Sequence, residues 1–132
     1  MALTSEADVR DAANAIVAAF ARHDTATYFA SFTSDATFVF HATAQIVRGR
    51  AQYEELWRSW EQEGFHVVAC ESSDAVVQMI GDDAAVFIHS VRTTVADGDS
   101  TITTGERETI VFHKSRGTWL GVHEHLSVDP TY

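Results

Sequence analysis

The chain has 132 residues, 45% of them hydrophobic, enough for one domain with a core of its own. Its formal net charge is −10 and Lys114 is its only lysine, which excludes nucleic acid and anionic membrane surfaces as partners. No apolar run reaches the roughly 18 residues that read as a membrane span.

The N-terminus carries no basic, apolar leader, so a cytoplasmic protein is expected. The single Cys70 leaves no internal disulfide and no multi-cysteine zinc site. Residues 5–22 read as an amphipathic helix, because Val9, Ala12, Ala13, Ile16, Val17 and Phe20 recur at helical spacing. Ser5 with Asp8 fits a capping box at its start. Asp24 can cap a second, shorter helix with Tyr28, Phe29 and Phe32 on its inner side. The Tyr28 hydroxyl is then either satisfied within a core or presented to a pocket.

Thr33-Ser34-Asp35 breaks the pattern. Residues 37–41 read as a strand, with Phe38 and Phe40 on one face and Val39 and His41 on the other. Residues 45–48 can be read as a short return strand that Gly49 ends. Residues 51–64 make a third helix. Tyr53, Leu56, Trp57 and Trp60 lie on one side of it, and Gly64 supplies the stop. The two tryptophans give an aromatic wall, suited either to a core or to stacking on a ligand.

From residue 65 the period changes to two. Residues 65–80, 84–95, 100–114 and 118–128 read as four long strands, separated by Gly81-Asp82, Gly98-Asp99 and Arg116-Gly117. Short turns make neighbours antiparallel and set their register. With Ser115 opposite Thr118, Val111 faces Val122 and Glu108 faces His125. One face of this hairpin, residues 106–127, then carries Glu108, Ile110, Phe112, Trp119, His123 and His125. The Gly98-Asp99 turn places Phe87 opposite Ile110 and His89 opposite Glu108. The Gly81-Asp82 turn brings Asp74 beside His89. The predicted fold is α+β: three N-terminal helices and a small hairpin packed on a curved four-stranded antiparallel meander, the whole chain forming one domain.

His89, Glu108 and His125 thus form one row of ionisable side chains across three strands. A buried row of this kind must pair or neutralise its charges. It can move a proton, with Glu108 as base and a histidine as acid. It can orient a polar ligand, or close one end of the core as a satisfied hydrogen-bond network. His123 and His125 lie at a spacing that suits zinc, with Glu108 as a third ligand; no other metal signature supports this, and no metal or cofactor is expected. His113 and Glu124 should face the other way. Arg92 is out of phase with His89, and only a bulge near Ser90 would swing it inward as an anion-binding group.

Carried by GDDAAVFIHSVRTT and RETIVFHKSRGTWLGVHEHLS, the chain resembles the nuclear-transport-factor-2-like superfamily. That superfamily has a cystatin-like cone and includes ketosteroid isomerase, scytalone dehydratase and the SnoaL-like cyclases. The C-terminal half is most similar to the association, or hub, domain of calcium/calmodulin-dependent protein kinase II. The resemblance implies a pocket inside a cone and a homodimer formed through the outer sheet face. It places hub-pocket positions on Glu108, His125 and Arg92, with Ile110 standing where the hub pattern has a second arginine. The isomerase's own catalytic set does not map onto this sequence.

Two functions follow as expectations. One is a SnoaL-like pocket lined by Tyr28, His41, Trp57, Trp60, His89, Arg92, Glu108, His123 and His125. It would bind a compact, partly apolar organic molecule with a carbonyl or hydroxyl group, with acid–base chemistry of the isomerase, dehydratase or cyclase kind at Glu108, His89 or His125. The other is a non-catalytic assembly module with Thr109, Val111, Leu120 and Val122 on its outer stripe.

Overall fold

The computed structural model describes residues 2–131, with side chains described from Ser5 to Thr131. Helix α1 spans Ala2–Ala21. It starts ahead of Ser5, so Ser5 and Asp8 lie inside the helix and the expected capping box does not set its start. Its inner stripe is Val9, Ala13, Ile16 and Ala19, all buried. His23 follows in a left-handed conformation, with φ of 55°. Its Nδ1 accepts the Val67 N–H at 2.9 Å, and its Nε2 lies 2.7 Å from Glu61. One side chain therefore ties the corner after α1 to a strand and to another helix.

Helix α2, Thr25–Ala30, is capped by the Asp24 carboxylate, which accepts from the Thr27 N–H. Strand β1 runs Phe32–Phe40 and pairs with the two-residue strand β2, Val47–Arg48. β1 is longer than the sequence suggested. The Thr33-Ser34-Asp35 break is still there, as an irregularity in the ladder between Phe32 and Thr37. Helix α3, Arg50–Gln62, buries Tyr53 and Trp57. Gly64 lies just beyond it with φ of 104°, and a Cβ there would stand 2.8 Å from the Gly98 backbone nitrogen.

The four long strands are β3 Phe65–Ile80, β4 Ala84–Asp97, β5 Ser100–Ser115 and β6 Thr118–Val128. They lie antiparallel in sequence order. β1 adds to β6 in parallel, giving one mixed sheet of order β2-β1-β6-β5-β4-β3. The small hairpin therefore extends the meander's sheet to six strands instead of packing on it as a separate element. Buried Phe38, Phe87, Ile110 and Phe112 on the inner face meet Val9, Tyr28 and Trp57 of the helices in one aromatic core.

Register decides which side chains reach that core. β4 and β5 pair without a shift, with Phe87 opposite Ile110 and His89 opposite Glu108. β5 and β6 begin as their turn dictates, Ser115 opposite Thr118 and His113 opposite Leu120. Then Phe112 pairs with Gly121 and Val111 with His123, so Val122 is an extra residue in β6. From there the alternation is inverted. β3 has its own shift between Ser73 and Val76, where Asp74 takes φ of 55°.

Candidate functional site

A cavity of about 260 Å³ lies between the three helices and the inner face of β3–β6. It falls just under the usual range for small-molecule pockets, so it suits a compact ligand. Tyr28, Trp57, Trp60, His41 and Glu108 are on its wall. The Tyr28 hydroxyl is 2.8 Å from that of Tyr53, and Trp57 Nε1–H donates to Thr25 Oγ1 at 3.1 Å. These bonds satisfy both polar tips and leave the rings to the cavity. His41 follows the end of β1 with its side chain one-third exposed, and its Nε2–H reaches Glu106.

His89 is fully buried behind Glu108 and is not itself on the cavity wall. Its Nε2–H donates to Glu108 Oε1 at 2.6 Å, and its Nδ1 lies 2.6 Å from Ser72 Oγ. Ser72 takes the place at His89 that register alone assigned to Asp74, because Asp74 sits in the β3 irregularity.

Three expected site residues lie elsewhere. The extra Val122 turns His123 and His125 to the outer face, where His123 Nδ1 meets Thr37 Oγ1 at 2.8 Å. They cannot join Glu108 in a ligand set, and among the described residues no cluster suited to a metal ion forms. Arg92 is exposed, with Glu71 and Gly105 as its strand neighbours. β4 has no bulge at Ser90 in its pairing with β5, so Arg92 keeps the outward parity.

The same inversion brings in Glu124, which was expected to face out. It is 4% exposed, opposite Ile110, and lies on the cavity wall beside Glu108 and Glu106. Burial and the adjacent Glu108 charge push its carboxyl well above the ordinary value. Burial also acts to raise Glu108, but hydrogen bonds from Glu124 and His89 outweigh it and hold Glu108 below the ordinary value. Glu106 is raised by burial, with His41 offsetting part of the effect. Burial pushes the Cys70 thiol up to about 11, despite its contact with Thr93. The Tyr28 and Tyr53 hydroxyls are pushed up by burial and then by Glu124.

The SnoaL-like domain family matches residues 9–130. The chain belongs to the SnoaL-like family. Solved structures agree on the cone. An NTF2-like protein from Rhodospirillum rubrum is 22% identical, covers 92% of this chain and 98% of its own, and superposes with a TM-score of 0.80. A ketosteroid isomerase-like protein from Erwinia carotovora atroseptica is 22% identical over 94% and 96% of the two chains, with a TM-score of 0.76. A CamKII hub homology domain from Chlamydamonas reinhardtii is 24% identical over 94% and 98%, with a TM-score of 0.75. At these identities the likeness speaks for the fold alone. No curated protein matches the sequence.

Within this SnoaL-like cone, Glu108 is held below and Glu124 well above the ordinary carboxyl value. Two adjacent carboxyls whose environments push them apart give one proton acceptor and one donor side by side. Sequence reasoning missed Glu106, Glu124 and Tyr53 as wall residues. Glu106 could have been found, since it lies two places before Glu108 on the same strand face. Glu124 could not, because nothing in VHEHLS announces the extra residue.

Proposed function

We propose that this protein is a small-molecule-binding SnoaL-like pocket protein whose carboxyl pair carries acid–base chemistry of the isomerase, dehydratase or cyclase kind. The observation that carries the reading is the pairing of buried Glu108 and Glu124, oppositely shifted, on the wall of a 260 Å³ aromatic cavity. Glu108 would take a proton from the bound molecule and Glu124 would return one. The ligand's carbon body would lie against Trp57, Trp60 and Tyr28, with one polar group at the carboxyls.

The test is a melt of the protein against compact ketones, alcohols, amines and carboxylates. A stabilising compound should lose its effect in both Glu108→Gln and Glu124→Gln. Deuterium should enter the bound compound in heavy water with the unaltered protein and not with either variant. A panel without any stabilising compound, or one whose effect survives both substitutions, removes this reading.

A second reading is that the domain pairs with another copy through the outer sheet face. What supports it is apolar exposure there: Val76 at 55%, Ile80 at 54% and Ile88 at 41%. Val111 and Leu120 continue that face, half-buried. The two readings are compatible, since the cavity lies on the opposite side of the sheet.

A further inference from the structure

The cavity wall holds one carboxyl that has no basic partner among the described residues. Glu106, Glu108 and Glu124 all line it, and among the described residues no lysine or arginine does. Glu106 has His41 as its basic partner and Glu108 has His89. Glu124 has none, and its Oε1 is buried without a hydrogen-bond partner among the described residues. The groups around it are Glu108 and Glu106 of β5, Cys70 of β3, and the hydroxyls of Tyr28 on α2 and Tyr53 on α3. The two nearby imidazoles are bonded to other carboxyls, His89 to Glu108 and His41 to Glu106. None of these neighbours supplies a positive charge directly.

The rest of the wall is aromatic, with Tyr28, Tyr53, Trp57 and Trp60 on the helix side. Ring faces carry negative potential and attract an ammonium, most strongly away from water. A carboxylate makes a shorter, stronger hydrogen bond to a charged N–H than to a neutral donor. A carboxylate ligand would instead meet like charge in a low-dielectric enclosure.

We propose that the cavity takes a compact organic cation, a primary or secondary amine in its ammonium form, with its N–H groups on Glu124 and its carbon body along the aromatic wall. The proposal rests on the binding part of the pocket reading above and adds the charge of the ligand; with an ammonium bound, Glu124 is ionised and donates no proton. Binding converts the protonated Glu124 carboxyl to a carboxylate paired with the ammonium, and the displaced proton goes to the buffer. Affinity for the ammonium therefore rises with pH until Glu124 is ionised, by about tenfold per pH unit for one exchanged proton.

Calorimetric titration of the full chain with benzylamine, benzyl alcohol and benzoate tests this. Benzylamine should bind about tenfold or more tighter than benzyl alcohol, with benzoate weakest. Its heat should differ between buffers of unlike ionisation enthalpy, reporting a released proton. Glu124→Gln should erase the preference for the amine. If that variant does not fold, proton release by the unaltered chain decides, and benzylamine binding without it overturns the proposal. Benzyl alcohol or benzoate binding as tightly as benzylamine overturns the amine while leaving the pocket reading in place. If no amine binds but ketones or alcohols from the wider panel do, the amine alone falls. If nothing binds from either set, the pocket reading falls and takes the amine with it.

Discussion

Glu124 is a buried acid whose carboxyl is pushed up by burial first and then by a neighbour of the same sign. Its raised pKa means the folded chain holds a proton that the unfolded chain would release. Stability therefore falls as pH rises above the ordinary carboxyl value of 4.5 and levels off once pH passes Glu124's folded pKa. The limiting slope is about 1.4 kcal/mol per pH unit for one proton. Glu108 acts in the opposite sense, stabilising above its unfolded pKa and losing that contribution as pH falls through its depressed folded one. Because each carboxyl acts on the other, they titrate as a pair. Glu124→Gln keeps a donor toward Glu108 and has nothing to titrate. Thermal melts from about pH 5 to pH 8 should show the variant gaining on the parent as pH rises. A parent that gains on the variant over that range would contradict the raised Glu124 carboxyl.

At the scale of elements, strand β6 positions the site. Up to Gly121 it follows the parity its turn imposes, and beyond Val122 it follows the reverse. The reversal sits against β1, whose own irregularity spans Phe32 to Thr37. At Gly121 β6 packs directly on Phe32: a Cβ there would stand 2.7 Å from Phe32 Cδ1 and 2.9 Å from Phe32 Cε1. Phe32 is buried in the core and cannot swing aside freely. Gly121→Ala should cost about 1–3 kcal/mol by overpacking, measured by urea unfolding. A cost below about 0.5 kcal/mol would mean that this contact does not hold β1 against β6.

At the scale of the whole molecule, the sheet separates two roles. Its inner face and the helices enclose the cavity. Its outer face exposes Val76, Ile80 and Ile88, and carries the two histidines displaced by the bulge. If a second copy covers that face, sedimentation should give a dimer. Ile88→Lys should then shift it to monomer with ligand-induced stabilisation retained, since Ile88 lies across the sheet from the carboxyls. A monomeric parent at high concentration would remove the assembly reading and leave the pocket unaffected. Among the described residues no helix is long and apolar enough to cross a membrane.

Local pattern determined much of this protein. The aromatic stripe of α3, the Asp24 cap, the four long strands and the His89–Glu108 pairing all follow from side-chain period and from turns that set register within a few residues. What period could not supply was the parity of β6 past Val122, the parallel docking of β1 on β6, or the place of Ser72 beside His89. The docking of β1 is a long-range pairing; the other two depend on bulges, and a bulge is chosen by what the strand must fit against across the whole sheet, with no local sequence cost that announces it. One extra residue exchanged two histidines for a glutamate on the cavity wall. The existence of a polar cluster under aromatic walls was legible in the sequence; its acidic character, with Glu106, Glu108 and Glu124 on the wall, was decided only by tertiary structure.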